Sequence, residues 1–121
     1  MKPDQEKKNT QKIAYFADKS LLIVDDDGPL RVRLSRAMEK KGFKVTQAES
    51  VKGGINEAKN SPPAFAVIDL RLGDGNGIEV VKEIRKLKND SKVIMLTGYG
   101  NIPTAVEAVK AGAIDYIPKP A

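Results

Sequence analysis

The chain has 121 residues, enough for one domain with a buried core and too few for a second full one. Apolar residues make up 40% and charged residues 31%, and no apolar run nears the roughly 18 residues that span a bilayer, so membrane insertion is not expected. With no cysteine and no histidine, disulfides, thiolate zinc sites and Ser-His or Cys-His catalysis are excluded, leaving carboxylate, hydroxyl and lysine as reactive groups.

The net charge of +5 invites a nucleic-acid reading, but the basic side chains are spread along the chain, with groups at Lys7–Lys12, Arg31–Lys41 and Lys82–Lys92, and mostly interleaved with acids, as on solvated helix faces. The opening MKPDQEKKNT has no apolar signal core, and a cytoplasmic protein is expected. Residues 1–19 read as a polar arm with one apolar island, Ile13-Ala14-Tyr15-Phe16. Leu21 to Val24 is a continuous apolar run, as in a strand covered on both faces. Pro29 opens a helix with Leu30, Leu34, Ala37 and Met38 at helical spacing, and Gly42 closes it. Phe43 to Ala48 is a second, alternating strand. Ser50 caps a helix from Val51 to Asn60, which Gly53-Gly54 weakens and Pro62-Pro63 stops. Ala64 to Leu70 is a third strand, apolar except for Asp69, and the following RLGDGNG reads as a turn-rich loop. Ile78, Val81, Ile84 and Leu87 then set a helical stripe. Lys92 to Leu96 is a fourth strand, TGYGN a loop, and Ile102, Val106 and Val109 line a helix ended by Gly112. Asp115 to Pro118 makes a short fifth strand. Five strands alternating with four helices predict an α/β domain, a doubly wound parallel sheet with right-handed crossovers.

In an open parallel sheet, ligands sit beyond the carboxyl ends of the strands. Here the first strand ends in Asp25-Asp26-Asp27, the third in Asp69, the fourth in Thr97 and the fifth in Lys119. Carboxylates gathered at one rim raise each other's pKa and need a cation; a hard ion such as Mg2+ on oxygen ligands supplies one, and Lys119 another. With phosphate as third party the set closes. Mg2+ and Lys119 neutralise transferring oxygens, the Thr97 hydroxyl donates to one, Gly98 leaves room beside it, and Asp69 is the natural nucleophile for an acyl phosphate. Each piece alone has a plainer reading, since acids before a helix are often only caps. Their joint placement on one rim favours the site.

The motifs LLIVDDD, VIDLRL, LTGYG and DYIPKP, in this order and at these spacings from about Ser20 to Ala121, resemble the receiver domain of two-component response regulators. The resemblance implies a flavodoxin-like (CheY-like) five-stranded parallel sheet of order 2-1-3-4-5. It makes Asp69 similar to the family's phosphoacceptor, Asp26 to a direct Mg2+ ligand and Asp25 to an acid acting through a metal-bound water. The backbone carbonyl of Arg71 would be a further ligand, and Mn2+ an alternative ion. Thr97 and Lys119 match the hydroxyl and lysine that grip the phosphoryl group. Thr97 and Tyr116 match the switch pair, and Arg71 and Tyr99 are expected to tune the lifetime of the acyl phosphate. Lys119-Pro120 looks like the family's cis peptide. Asp27 has no fixed family role and is expected to modify the acidic pocket or cap the first helix. Four residues past the acceptor, where a proline usually stands, this chain has Gly73, which leaves the loop's rigidity open.

With AMEKKGF and AESV, the chain is similar to redox-responsive global regulators of the RegA/PrrA/ActR type. That type carries a small Fis-like helix-turn-helix domain after the receiver. The resemblance therefore implies transcription control through a DNA-binding domain in the full-length protein, beyond residues 20–121. It also implies a fifth helix after Lys119-Pro120, missing from this chain. The apolar sheet face that helix would cover is expected to be filled by Ile13 to Phe16, a partner chain or a swapped element. The phosphodonor implied is a sensor histidine kinase, and a homodimer is one implied assembly. The chain is expected to act as a switch with slow self-dephosphorylation at most, rather than as an enzyme. Two rivals stand beside this reading. An aspartate-nucleophile phosphohydrolase would need a second acid two residues after Asp69, where Arg71 stands. A pseudo-receiver that never takes phosphate would not need Asp26, Asp69, Thr97 and Lys119 together.

Overall fold

The structure, a computed structural model, describes residues 18–98 and 102–119. Five parallel strands form the main sheet: β1 (Ser20–Val24), β2 (Lys44–Ala48), β3 (Phe65–Asp69), β6 (Lys92–Thr97) and β7 (Asp115–Pro118). Their order is β2-β1-β3-β6-β7, the expected 2-1-3-4-5 once a small hairpin is set aside. Between them run α1 (Gly28–Lys40), α2 (Val51–Asn60), α3 (Ile78–Leu87) and α4 (Ile102–Ala111). Strand ends differ by single residues: β1 starts one earlier, at Ser20, and β3 omits Ala64 and Leu70. β2 begins one residue later than the alternation suggested and β6 runs on through Thr97.

The sheet's two faces are treated differently. Leu22, Val24, Ala66, Ile68, Val93 and Met95 are in register across β1, β3 and β6 and enter one buried cluster with Val51 and Ala58 of α2, Val80, Val81 and Ile84 of α3 and Ala108 of α4. Burying such aliphatic side chains is worth about 1.5–3 kcal/mol each, so this layer dominates the fold's stability. On the opposite face, where α1 lies, Leu21 and Ile23 are buried while Val67, Ile94 and Leu96 are half-buried and Ile117 is 40% exposed. Ile13 to Phe16, expected to reach this face, lie outside the described residues. Asp18 and Lys19, read as the end of the arm, are tied in: the Asp18 carboxylate accepts from Ser20, and the Lys19 carbonyl from Lys44.

Two local readings change. RLGDGNG is not an open loop but a hairpin, β4 (Arg71–Leu72) paired antiparallel with β5 (Gly75–Asn76). Turn-rich composition signals a reversal of the chain without saying whether its flanks pair. Gly54, read as a weak point of α2, is instead a packing position. A Cβ there would meet Val24 Cγ2 at 3.1 Å and both Val80 γ-carbons at 3.3 Å, so the bare backbone lets α2 sit close to β1 and α3.

Candidate functional site

The carboxyl ends of β1 and β3 deliver three acids to one rim. Single carboxylate oxygens of Asp25, Asp26 and Asp69 lie within 4.8 Å of one another. Asp25 is 1% exposed and Asp69 4%, whereas Asp26 faces solvent. Adjacent central strands place Asp25 and Asp69 together, since Val24 and Ile68 are register partners in parallel pairing. Lys119, the first residue after β7, closes the rim: its Nζ donates to Asp25 Oδ1 at 3.1 Å and to Asp69 Oδ2 at 3.0 Å. Its backbone N–H donates to the Thr97 carbonyl at 2.6 Å, which fixes where the side chain starts.

The electrostatics follow from this crowding. Burial, with the neighbouring Asp25 charge, pushes the Asp69 carboxyl above its ordinary value, against the opposing pull of Lys119 and of a hydrogen bond from the Arg71 backbone. Burial alone would lower the Lys119 ammonium; its hydrogen bonds to Asp69 and Asp25, and their charges, more than reverse that and hold it above the usual lysine value.

Asp25 is held from several sides. Its Oδ1 also accepts from the Asp27 N–H at 2.9 Å, and its carbonyl accepts from Arg31 Nη1 at 2.7 Å, while Arg31 Nε reaches Gln47. Its Oδ2, however, is buried and has no hydrogen-bond partner among the described residues. A buried carboxylate oxygen without a donor is costly, and a cation is the partner that suits it. Three carboxylates and one ammonium leave two negative charges, the complement of a divalent ion. The donor set is all oxygen, as hard divalent cations require. The residues present therefore fit a divalent metal.

Of the other residues singled out, Thr97 ends β6 and is 1% exposed beside Pro118 of β7 in register. Arg71 is exposed in β4. Tyr116 pairs with Met95 through the β7 backbone, but its side chain lies outside what is described, as do Tyr99 and the Lys119-Pro120 bond. Asp27 resolves as a cap: its carboxylate accepts from the Leu30 N–H at 3.1 Å at the start of α1. Two residues escaped notice in the sequence. Arg31, placed among surface cations, clasps the Asp25 carbonyl. Asp74, in the hairpin turn, accepts from two α2 amides, Val51 N at 2.8 Å and Lys52 N at 3.1 Å.

Residues 21–121 match the response regulator receiver domain. The chain belongs to that family. The receiver is 62% identical over 104 residues to the acid tolerance regulatory protein ActR of Sinorhizobium medicae, covering 86% of this chain and 54% of ActR. It is 58% identical over 104 residues to the photosynthetic apparatus regulatory protein RegA of Rhodovulum sulfidophilum, covering 86% of this chain and 57% of RegA. Kinship with the RegA/ActR type thus stands on close sequence identity. Among solved structures, a response regulator protein from Burkholderia pseudomallei, crystallised with a phosphorylated aspartic acid, calcium ion and citrate, superposes with a TM-score of 0.81 at 36% identity, over 86% of this chain and 61% of that one. The receiver spans about half the length of the curated relatives it matches. Those relatives are named as regulators, not as enzymes, and the phosphohydrolase reading is not favoured.

Proposed function

We propose that the receiver takes a phosphoryl group onto Asp69 from the phosphohistidine of a sensor histidine kinase. An Asp69 carboxylate oxygen forms the bond to phosphorus as the bond from phosphorus to the histidine nitrogen breaks; that nitrogen keeps the bonding pair, and with a proton on the other ring nitrogen the histidine leaves neutral and Asp69 becomes an acyl phosphate. The observation that carries this reading is the placement of Asp69: nearly buried, hydrogen-bonded to Lys119 at 3.0 Å and clustered with Asp25 and Asp26.

Each residue has a part in the proposal. Asp26 and Asp69, with the Arg71 carbonyl and with Asp25 through a water, would hold Mg2+, or Mn2+ in its place. The ion would neutralise charge on the transferring oxygens. Lys119, already between Asp25 and Asp69, supplies the chain's own positive charge to those oxygens. Thr97 and Tyr116 form the switch that reads the modified pocket, and Arg71 and Tyr99 govern how soon water hydrolyses the acyl phosphate. Catalysis of this kind is mostly positioning and electrostatics. In the full-length protein a helix-turn-helix domain would turn the switch into transcription control in the cytoplasm, the receiver itself leaving DNA alone. Val106, Val109, Ile114 and Ile117, each at least 40% exposed, support a homodimer face on α4, β7 and the turn between them. Among the described residues no helix is long and apolar enough to cross a membrane.

The test is incubation with Mg2+ and acetyl phosphate followed by mass measurement. The parent chain is expected to gain one phosphoryl group and Asp69→Asn none. A parent that stays unmodified would sink the reading, and rapid multiple turnover would favour a hydrolase.

A further inference from the structure

The loop that follows the acceptor is held at its far end and at its tip. At its far end the Gly77 N–H donates to the Leu70 carbonyl at 2.7 Å, and a Cβ on Gly77 would collide with the Asp69 carbonyl oxygen and approach Ile68 Cγ2 to 2.9 Å. The backbone there thus lies directly against that of the acceptor. At its tip, Asp74 spreads its two carboxylate oxygens over the first two amides of α2. Those hydrogen bonds hold its carboxyl below the ordinary value. Val51 is buried beneath the same hairpin, 3.4 Å from where a Gly75 Cβ would stand.

α2 needs no second cap for its own sake. Ser50 already serves as N-cap, its hydroxyl accepting from the Gly53 N–H at 2.9 Å. Asp74 adds a tie between two elements, running from the hairpin that carries Arg71, whose N–H donates to Asp69, to the rim of the neighbouring helix. It stands one residue past Gly73, and so supplies by hydrogen bonding the stiffness that the loop's sequence does not.

We propose that Asp74 is a positioning residue for phosphoryl acceptance. Its clasp on α2 fixes the Arg71–Asn76 hairpin, and through it the backbone around Asp69. The proposal rests on Asp69 being the acceptor. Loss of positioning slows group transfer steeply, because misplacement of about 1 Å already costs on the order of a hundredfold.

The experiment compares the parent with Asp74→Ala, Asp74→Asn and Ser50→Ala. It measures the acetyl phosphate reaction rate, melting temperature and hydrogen exchange at Val51 and Lys52. Asp74→Ala is expected to slow phosphorylation about tenfold and to speed exchange at both amides. Asp74→Asn keeps an oxygen acceptor for one amide and should recover much of the rate. Ser50→Ala removes the helix's own cap and should lower the melting temperature while leaving the rate unchanged. An unchanged rate in Asp74→Ala, or an equal slowing by Ser50→Ala, would overturn the proposal. A parent that takes no phosphate would instead overturn the acceptor assignment.

Discussion

Asp69 is a carboxylate kept where a carboxylate is uncomfortable. Its pKa stands above the ordinary 3.8, chiefly through burial. A group that binds its proton more tightly folded than unfolded works against stability wherever the folded form is ionised. That penalty is present at neutral pH, fades as pH falls through the raised value, and is gone below the unfolded value. Asp69→Asn is therefore expected to stabilise the fold at pH 7 by about 1 kcal/mol, the usual scale for relieving a functional site. In denaturant titrations the advantage over the parent should shrink as pH is lowered toward 4. An equal advantage at both ends would refute the electrostatic account. The residue scale also shows what a sequence discloses. Asp25, Asp26, Asp69 and Lys119 were legible because strand ends are legible, and a parallel sheet gathers its strand ends at one rim. Arg31 and Asp74 were not, because their partners are backbone groups, the Asp25 carbonyl and the Val51 and Lys52 amides, which leave no mark in the sequence.

At the scale of elements, α2 is the instructive case. Helix propensity favours alanine over glycine by about 1 kcal/mol, so Gly53-Gly54 reads as weakness. Gly54 is buried where α2, β1 and α3 meet, and the methyl that would help the isolated helix must displace Val24 or Val80. Gly54→Ala is expected to lower stability by about 1–2 kcal/mol, the cost of overpacking exceeding the propensity gain. A rise in thermal midpoint would show that the neighbours give way freely. Propensity is a property of a stretch of chain; closeness of approach belongs to a pair of elements. The hairpin β4–β5 was hidden for the same reason, since its pairing is a relation between Arg71–Leu72 and Gly75–Asn76.

At the scale of the whole molecule, Lys119 joins the first, third and last strands of the sequence through two ion pairs. Asp69→Asn leaves Lys119 its Asp25 partner, but removing Lys119 strands two carboxylates, and stranding a fully buried charge costs roughly 3–5 kcal/mol. The Lys119 side chain keeps 17% of its exposure, so Lys119→Ala is expected to cost less, about 2 kcal/mol, in chelator-treated buffer. Mg2+ should then recover more stability in the variant than in the parent, because it supplies the charge the variant lacks. Equal midpoints for variant and parent in chelator would contradict this. The pair also spans 94 positions, from near the start of the fold to its last strand. A ribosome delivers Asp25, Asp26 and Asp69 well before Lys119, so until residue 119 is made only a bound cation can offset the charge of these acids. Of the site residues described, Lys119 is the last to be synthesised, so the chain's own counter-charge is the final piece of the rim to arrive.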